Sequence, residues 1–90
     1  QLIIWGAGTK GKKIARLLIE RNIKFDWICD NPKKIGKDIY NKTLKPFEFL
    51  NTMKNYQCIV TVANHEAQFE IVQYFQTRNK TPMNDYFFFC

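Results

Sequence analysis

The stretch Leu2-Ile3-Ile4-Trp5-Gly6-Ala7-Gly8-Thr9-Lys10-Gly11 decides the fold of this 90-residue chain. Its leading apolar residues predict a buried strand, and its glycines predict a tight turn that leads into a helix. In a G-x-G-x-x-G turn, one glycine permits the turn, a second lets the backbone approach a phosphate, and a third lets helix and strand pack closely. The N–H groups at the helix start then face the anion. The stretch therefore predicts a phosphate-binding turn.

The residues after the turn supply the context that this motif requires. Apolar residues recur at helical spacing from Thr9 to Asn22, and residues 24–30 predict a second strand that ends in Asp30. Asp30 lies nineteen positions after Gly11, close to where a dinucleotide-binding unit places an acid for the ribose. We therefore expect a nucleotide-binding βαβ unit. The alternative is a glycine turn that serves folding alone.

The remainder of the chain continues the alternation of strand and helix. Residues 47–54 predict a short helix and residues 57–63 a third, buried strand. A helix over residues 64–77 with Asn64 as its N-cap follows, and residues 85–90 predict a fourth strand. Such alternation indicates an α/β fold with right-handed crossovers. We expect a three-layer, Rossmann-like half, with a four-stranded parallel sheet of order 2-1-3-4 and helices on both faces.

Residues 1–90 are expected to form a single Rossmann-like nucleotide-binding domain. The length is enough for one core, which the high aromatic content of 16% can make dense. The first residue already lies in a predicted strand without an initiator Met, so we expect a domain excised from a longer protein. No apolar run approaches the ~20 residues that span a bilayer. We therefore expect no membrane span and a cytoplasmic location.

The positive charge of the chain is concentrated around the glycine turn. The net charge is +6, and residues 10–45 alone carry eleven Lys or Arg against four Asp or Glu. Such a field favours an anionic ligand, although lysines that only solubilise a helix face are the alternative for most positions. Nucleic acid is not an expected partner, because the basic cluster lacks interleaved exposed aromatic residues and a groove-reading motif.

Neither a catalytic nor a metal site is expected. Cys29, Cys58 and Cys90 lie in strand-like segments without C-x-x-C spacing, which favours buried free thiols. His65 has no residue facing it that would set its pKa, so we expect a surface histidine at the start of a helix. Tyr40 lacks the lysine four residues later that completes the short-chain reductase pair.

The candidate ligand-binding residues lie where strands end at one edge of the predicted sheet. Asp30 is expected to accept hydrogen bonds from ribose hydroxyls, with a cap on the following Asn-Pro turn as the alternative. Lys10 is expected to neutralise a phosphate, with a solvated lysine as the alternative. The predicted cofactor-binding residues are Gly6, Gly8, Thr9, Lys10, Gly11, Asp30, Asn31 and Asn64.

Two parts of the sequence resemble small Rossmann-type domains of bacterial surface-polysaccharide biosynthesis. They are IWGAGTKGKKIARLL over residues 4–18 and WICDNPKKIGKDIY over residues 27–40. These include the amino-terminal domains of sugar acetyltransferases and carboxyl-terminal modules appended to bacterial glycosyltransferases. The resemblance implies that the glycine turn and Asp30 help to hold a nucleotide-sugar, and that a transferase domain lies upstream. The acetyltransferases commonly have Gly-His-Gly in the turn, whereas this chain has Thr9-Lys10-Gly11.

The function expected from these features is a nucleotide or nucleotide-sugar binding accessory domain of a bacterial glycosyltransferase or related sugar-modifying transferase. The domain itself is expected to be non-catalytic, with a nucleotide-type small molecule and the upstream catalytic domain of the same chain as its partners. A homo-oligomer formed through the last strand is a further expectation. The alternatives are a fragment of an NAD-dependent oxidoreductase and a ligand-free protein-interaction module that retains the fold.

Overall fold

The computed structural model describes residues 1–89 and contains six strands, two α-helices and one 3₁₀-helix. The elements are β1 (Leu2–Trp5), α1 (Thr9–Glu20), β2 (Asp26–Ile28), β3 (Asp38–Ile39), β4 (Lys42–Thr43), the 3₁₀-helix (Phe47–Thr52), β5 (Gln57–Val60), α2 (His65–Gln76) and β6 (Tyr86–Phe88). Cys90, which was predicted to end the last strand and to carry a free thiol, lies outside the described residues. None of the helices among residues 1–89 is long and apolar enough to cross a membrane.

The predicted four-stranded parallel sheet of an α/β fold is present. Its order is β2-β1-β5-β6, so β1 lies between β2 and β5. Ile3 of β1 is in register with Asp26 of β2 and with Cys58 of β5, and Cys58 is in register with Tyr86 of β6. The four predicted strands therefore lie in the predicted order 2-1-3-4, and their numbers change to 2-1-5-6 because the chain forms two unpredicted strands, β3 and β4, between β2 and β5.

The two unpredicted strands form an antiparallel hairpin, β3 and β4. Tyr40 and Asn41 join them with φ of 53° and 62°, the backbone conformation of a two-residue turn that matches strand twist. Thr43 Oγ1 donates to Asp38 Oδ1 at 2.6 Å and ties the two strands together. Each strand has two residues, which is too short to produce a hydrophobic alternation, and a tyrosine is an unusual residue at positive φ.

Side chains of β1 alternate between the two faces of the sheet and create two cores. Ile3 and Trp5 pack with Phe75 of α2 and Leu50 of the 3₁₀-helix. Ile4 points to the opposite core, which contains Ala15 of α1, and partly buried Ile14 and Leu18 pack against that core. Each fully buried large apolar side chain stabilises the fold by about 1.5–3 kcal/mol. The sheet therefore has α1 on one face and α2 with the 3₁₀-helix on the other.

Several predicted elements are longer than the observed ones. Strands predicted over residues 24–30 and 57–63 are limited to Asp26–Ile28 and Gln57–Val60. Beyond Ile28 the chain leaves β1, since Cys29 N–H donates to Lys45 O at 3.0 Å instead. The helix predicted over residues 47–54 is a 3₁₀-helix of six residues. These early strand ends leave both segments free to form the loops at the carboxyl edge of the sheet.

Candidate functional site

The glycine turn is fixed by bonds to neighbouring strands. Gly6 N–H donates to Ile28 O at 2.9 Å, and the Trp27 indole donates to Gly6 O at 2.7 Å. Gly6 has φ of 127°, and a Cβ there would collide with Thr61 Oγ1. Thr61 Oγ1 itself donates to Trp5 O at 3.1 Å, so it is held in that position. Only glycine fits at residue 6.

Gly11 lies beneath the turn and does not line the cleft that the turn borders. It is buried in α1, and a Cβ there would collide with the carbonyl oxygen of Gly6. The absence of a side chain lets α1 approach the end of β1, which is the packing role expected of the third glycine. Among the predicted site residues, Gly11 therefore positions the turn without facing the cleft.

The N-terminus of α1 has no side-chain cap. Gly8 is its N-cap residue with φ of −84°, and the helical ladder begins with Lys12 N–H donating to Gly8 O at 2.9 Å. Within residues 1–89 the N–H groups of Thr9, Lys10 and Gly11 have no acceptor, and the first turn contains no acid. Uncapped N–H groups and the positive end of the helix dipole together form a site for an anion.

A cleft of about 480 Å³ opens at this helix end, on the carboxyl edge of the sheet. Its size falls within the range of small-molecule sites. Seven of the eight predicted site residues line it: Gly6, Gly8, Thr9, Lys10, Asp30, Asn31 and Asn64. The structure thus brings the glycine turn together with residues of two other loops. The most distant pair, Gly6 and Asn64, is 58 positions apart in the sequence.

Lys34 is a cleft residue that the sequence prediction missed. Its ammonium donates to Ala7 O at 3.0 Å, so the side chain crosses from the loop after β2 to the glycine turn. The loop is held in place because Lys34 N–H donates to Asn31 O at 2.9 Å and Gly36 N–H donates to Leu44 O at 2.8 Å. The local positive charge was a signal for a lysine here, but the sequence did not distinguish Lys34 from its neighbours.

Asp30 is oriented by a tryptophan of the central strand. The Trp5 indole N–H donates to Asp30 Oδ2 at 3.2 Å, while Oδ1 has no hydrogen-bond partner within residues 1–89. Partial burial raises the pKa of this carboxyl above its usual value, the Trp5 hydrogen bond lowers it, and the negative charges of Glu48 and Glu70 raise it further. The carboxylate therefore has one oxygen held and one available to accept hydrogen bonds.

The contacts of Asn31 and Asn64 show which residues cap the turn after β2 and the start of α2. Asn31, not Asp30, caps the turn after β2, since Asn31 Oδ1 accepts from Lys33 N–H at 2.9 Å. Asn64 is the N-cap of α2, as predicted, and its Oδ1 accepts from Ala67 N–H at 3.0 Å. The side-chain oxygen of Asn64 is thus engaged by the helix while the residue borders the cleft.

The remaining residues singled out in the sequence lie outside the cleft, except for Cys29, which lines it. His65 is the exposed first residue of α2. Cys29 and Cys58 are buried free thiols, and burial raises the pKa of both. Tyr40 is on the hairpin turn, where its ring stacks on Trp27 at 6.2 Å. Within residues 1–89, His, Cys, Asp and Glu form no group of three that could hold a metal ion.

A larger hollow of about 590 Å³ runs along the basic face of α1. It is lined by Thr9, Lys12, Lys13, Arg16, Leu17, Glu20 and Tyr40, and it includes neither the glycines of the turn nor Asp30. Long charged side chains on a helix form such hollows on ordinary solvated surfaces. We therefore regard the cleft at the sheet edge as the candidate site.

Scans against protein-family models, curated proteins and solved structures find no match to this chain. The resemblance to domains of surface-polysaccharide biosynthesis stays a prediction from the sequence. The chemistry of the cleft is therefore the basis for a functional proposal: backbone donors and ammonium groups for an anion, and a carboxylate oxygen for hydroxyl groups.

Proposed function

We propose that this chain is a Rossmann-like module that binds a nucleotide-type ligand at the carboxyl edge of its sheet. The observation that carries the proposal is the uncapped N-terminus of α1, which opens into a cleft that also contains the Lys34 ammonium and the Asp30 carboxylate. Each of these groups has a complementary part in a nucleotide, since phosphate is an anion and ribose carries hydroxyl groups.

The phosphate would lie against the glycine turn. The N–H groups of Thr9 and Lys10, which line the cleft, lack acceptors within the described residues, and Gly8 presents no side chain to the approaching group. Lys34 adds a positive charge from the opposite wall of the cleft. Charge-assisted hydrogen bonds from an ammonium to phosphate are roughly twice as strong as neutral ones.

The ribose would lie against Asp30. Trp5 holds one oxygen of this carboxylate, which leaves the other free to accept from a hydroxyl group. A carboxylate at the end of the second strand has this role in dinucleotide-binding domains. Cys29 contributes a thiol to the lining, and burial raises the pKa of this thiol, which disfavours the thiolate form that acts as a nucleophile.

The resemblance of residues 4–18 and 27–40 to surface-polysaccharide domains supports nucleotide-sugars as the ligand class to test first. In this proposal the module serves a glycosyltransferase or related transferase, with the chemistry supplied by a catalytic domain of the same chain.

Calorimetric titration with nucleoside diphosphates and nucleotide-sugars tests the proposal. We expect saturable binding, and we expect Lys34→Gln to weaken it at least about tenfold, because a hydrogen bond to a charged group contributes about 1.5–3 kcal/mol. Lys33→Gln is the matched control, since Lys33 is an exposed neighbour that does not line the cleft. The absence of saturable binding at millimolar concentration for every nucleotide tested would contradict the proposal.

The aromatic last strand favours a second candidate function, which is contact with another protein surface. β6 is at the edge of the sheet, and the side chains of Phe88 and Phe89 are 38% and 49% exposed. Exposed apolar residues of this size at a sheet edge favour association. We expect light scattering to give the mass of an oligomer for the wild type and a smaller mass for Phe89→Ser. A monomeric wild type would contradict association of this chain with itself.

A further inference from the structure

A second cleft, of about 510 Å³, adjoins the first at Asp30. The two clefts share four lining residues: Trp5, Cys29, Asp30 and Ala67. They therefore form one groove along the carboxyl edge of the sheet, with the glycine turn in one compartment and Asp30 at the boundary. We call the part beyond Asp30 the outer compartment.

The outer compartment has aromatic walls. Phe47 at the start of the 3₁₀-helix and Tyr74 of α2 line it together with Trp5. The Trp5 and Phe47 rings are nearly parallel with centroids 5.9 Å apart, and Tyr74 meets Phe47 edge-on at 5.5 Å. Arg78 covers one face of the Tyr74 ring, with its guanidinium carbon 3.7 Å from the ring centroid. The half-buried Phe47 ring provides flat apolar surface for another planar ring.

The charged side chains of the outer compartment are all acidic. Asp30, Glu48 and Glu70 line it, and none of its lining residues within the described part of the chain is Lys or Arg. The Tyr74 hydroxyl already donates to Asn51 Oδ1 at 3.0 Å. The side chains therefore offer hydrogen-bond acceptors to a ligand, whereas the first compartment offers donors.

The order of the compartments matches the order of groups in a nucleotide. If phosphate lies at the glycine turn and ribose at Asp30, the next group along the molecule is the base, and it enters the outer compartment. A carboxylate accepts from N–H groups and repels carbonyl oxygens. Guanine presents N–H and amino donors side by side, and adenine and cytosine each present an amino group, whereas uracil presents a single N–H between two carbonyl oxygens.

We infer that the outer compartment is a base-binding site that selects bases with amino groups, guanine above all, over uracil. The inference rests on the proposed function, because it needs the phosphate at the glycine turn. The resemblance to surface-polysaccharide domains implies a nucleotide-sugar without specifying the base, so the base is inferred from the residues of this chain.

The test is titration of the chain with GDP, ADP, CDP and UDP, which carry the same diphosphate and differ in the base. We expect GDP to bind at least about tenfold more tightly than UDP, in line with the discrimination that paired hydrogen bonds to a base provide. In the double variant Glu48→Gln and Glu70→Gln, we expect this preference to fall to about twofold or less. Glu66→Gln is the matched control, because Glu66 is an exposed acid of α2 that lines neither compartment.

The outcomes separate this inference from the proposed function. Equal binding of all four diphosphates, tighter binding of UDP, or a preference unchanged in the double variant would overturn the base selection and leave nucleotide binding in place. Failure of all four to bind at millimolar concentration would overturn both. Circular dichroism of each variant checks that the exposed Glu→Gln changes leave the fold intact.

Discussion

The two α-helices begin at the same edge of the sheet, but their N-termini are built in opposite ways. α2 follows β5 and begins with Asn64, whose Oδ1 accepts from Ala67 N–H, and Glu66 adds an acid to its first turn. α1 follows β1 and begins with Gly8, which provides no acceptor, and its first turn contains no acid. The N-terminus of α2 is capped by its own side chains, whereas the N-terminus of α1 leaves its N–H groups open toward a cleft.

The uncapped N-terminus makes α1 less stable than a capped helix would be. An N-cap side chain stabilises a helix by about 1 kcal/mol, and α1 lacks this contribution. Lys10 and Lys12 near its N-terminus add unfavourable interactions with the helix dipole of about 0.3–1 kcal/mol each. A bound anion would offset both effects. Packing against the sheet holds α1 in place, and in the proposed function its open N-terminus accepts the ligand.

The largest expected effect on the free energy of unfolding comes from disrupting the close packing of α1 against the glycine turn. Gly11→Ala places a Cβ against the Gly6 carbonyl oxygen, where the obstacle is backbone and cannot turn aside. We expect a loss of about 3 kcal/mol in the free energy of unfolding, at the upper end for overpacked sites. Urea denaturation measures it.

The control for that substitution is Lys13→Ala on the exposed face of the same helix. It should change the free energy of unfolding by no more than about 0.5 kcal/mol. A Gly11→Ala variant as stable as the wild type would show that α1 does not need the close approach to the turn.

A smaller effect is expected from removing the cap of α2. Asn64→Ala deletes the oxygen that accepts from Ala67 N–H and should lower the free energy of unfolding by about 1 kcal/mol. Asn64→Asp keeps an acceptor at the same position and should restore most of that loss. Thermal unfolding of the three proteins measures the difference, and equal stability of the Ala and Asp variants would refute the capping role.

The smallest effect on stability is expected at Asp30, where binding and stability have opposite requirements. Because the folded state raises the pKa of this carboxyl, its negative charge disfavours folding at neutral pH. Asp30→Asn keeps an oxygen for the Trp5 indole, so we expect its melting temperature to equal or exceed that of the wild type. Nucleotide affinity should fall, since the amide is a weaker acceptor for hydroxyl groups.

The difference in stability between Asp30→Asn and the wild type is expected to decrease as the pH falls. The unfavourable contribution of Asp30 is fully present above its folded-state pKa and disappears as pH falls below the usual pKa of an aspartate. Any advantage of Asp30→Asn at pH 7 should therefore shrink on acidification through that range. Melting curves that show the advantage growing at low pH would contradict this account of the carboxyl.

The strand, turn and helix over residues 2–20 could be predicted from the sequence because their signals are local. The three glycines Gly6, Gly8 and Gly11 predict the turn, and the helical spacing of the apolar residues after them predicts α1. Asp30 could be placed at the same sheet edge because parallel strands bring their carboxyl ends together. These features required only the order of the elements.

Other parts of the site depend on contacts between residues far apart in the chain. The Trp5 indole reaches Asp30, and the Lys34 ammonium reaches Ala7, through separations of 25 and 27 residues. The position of Lys34 also depends on the loop before the hairpin, and the hairpin itself has no hydrophobic alternation that would predict it. The outer compartment lies between the 3₁₀-helix and α2. No local pattern of the sequence predicts that these two elements lie next to each other.

The most direct test of the comparison between the two helix ends is to give α1 a cap like that of α2. Gly8→Asp supplies an acceptor and a negative charge where the Cβ meets open space. We predict that the free energy of unfolding stays the same or rises by up to about 1 kcal/mol, while nucleotide affinity falls more than tenfold, by roughly the loss of one charged contact. Nucleotide binding undiminished in the Gly8→Asp protein would contradict the claim that the open end of α1 is the anion site.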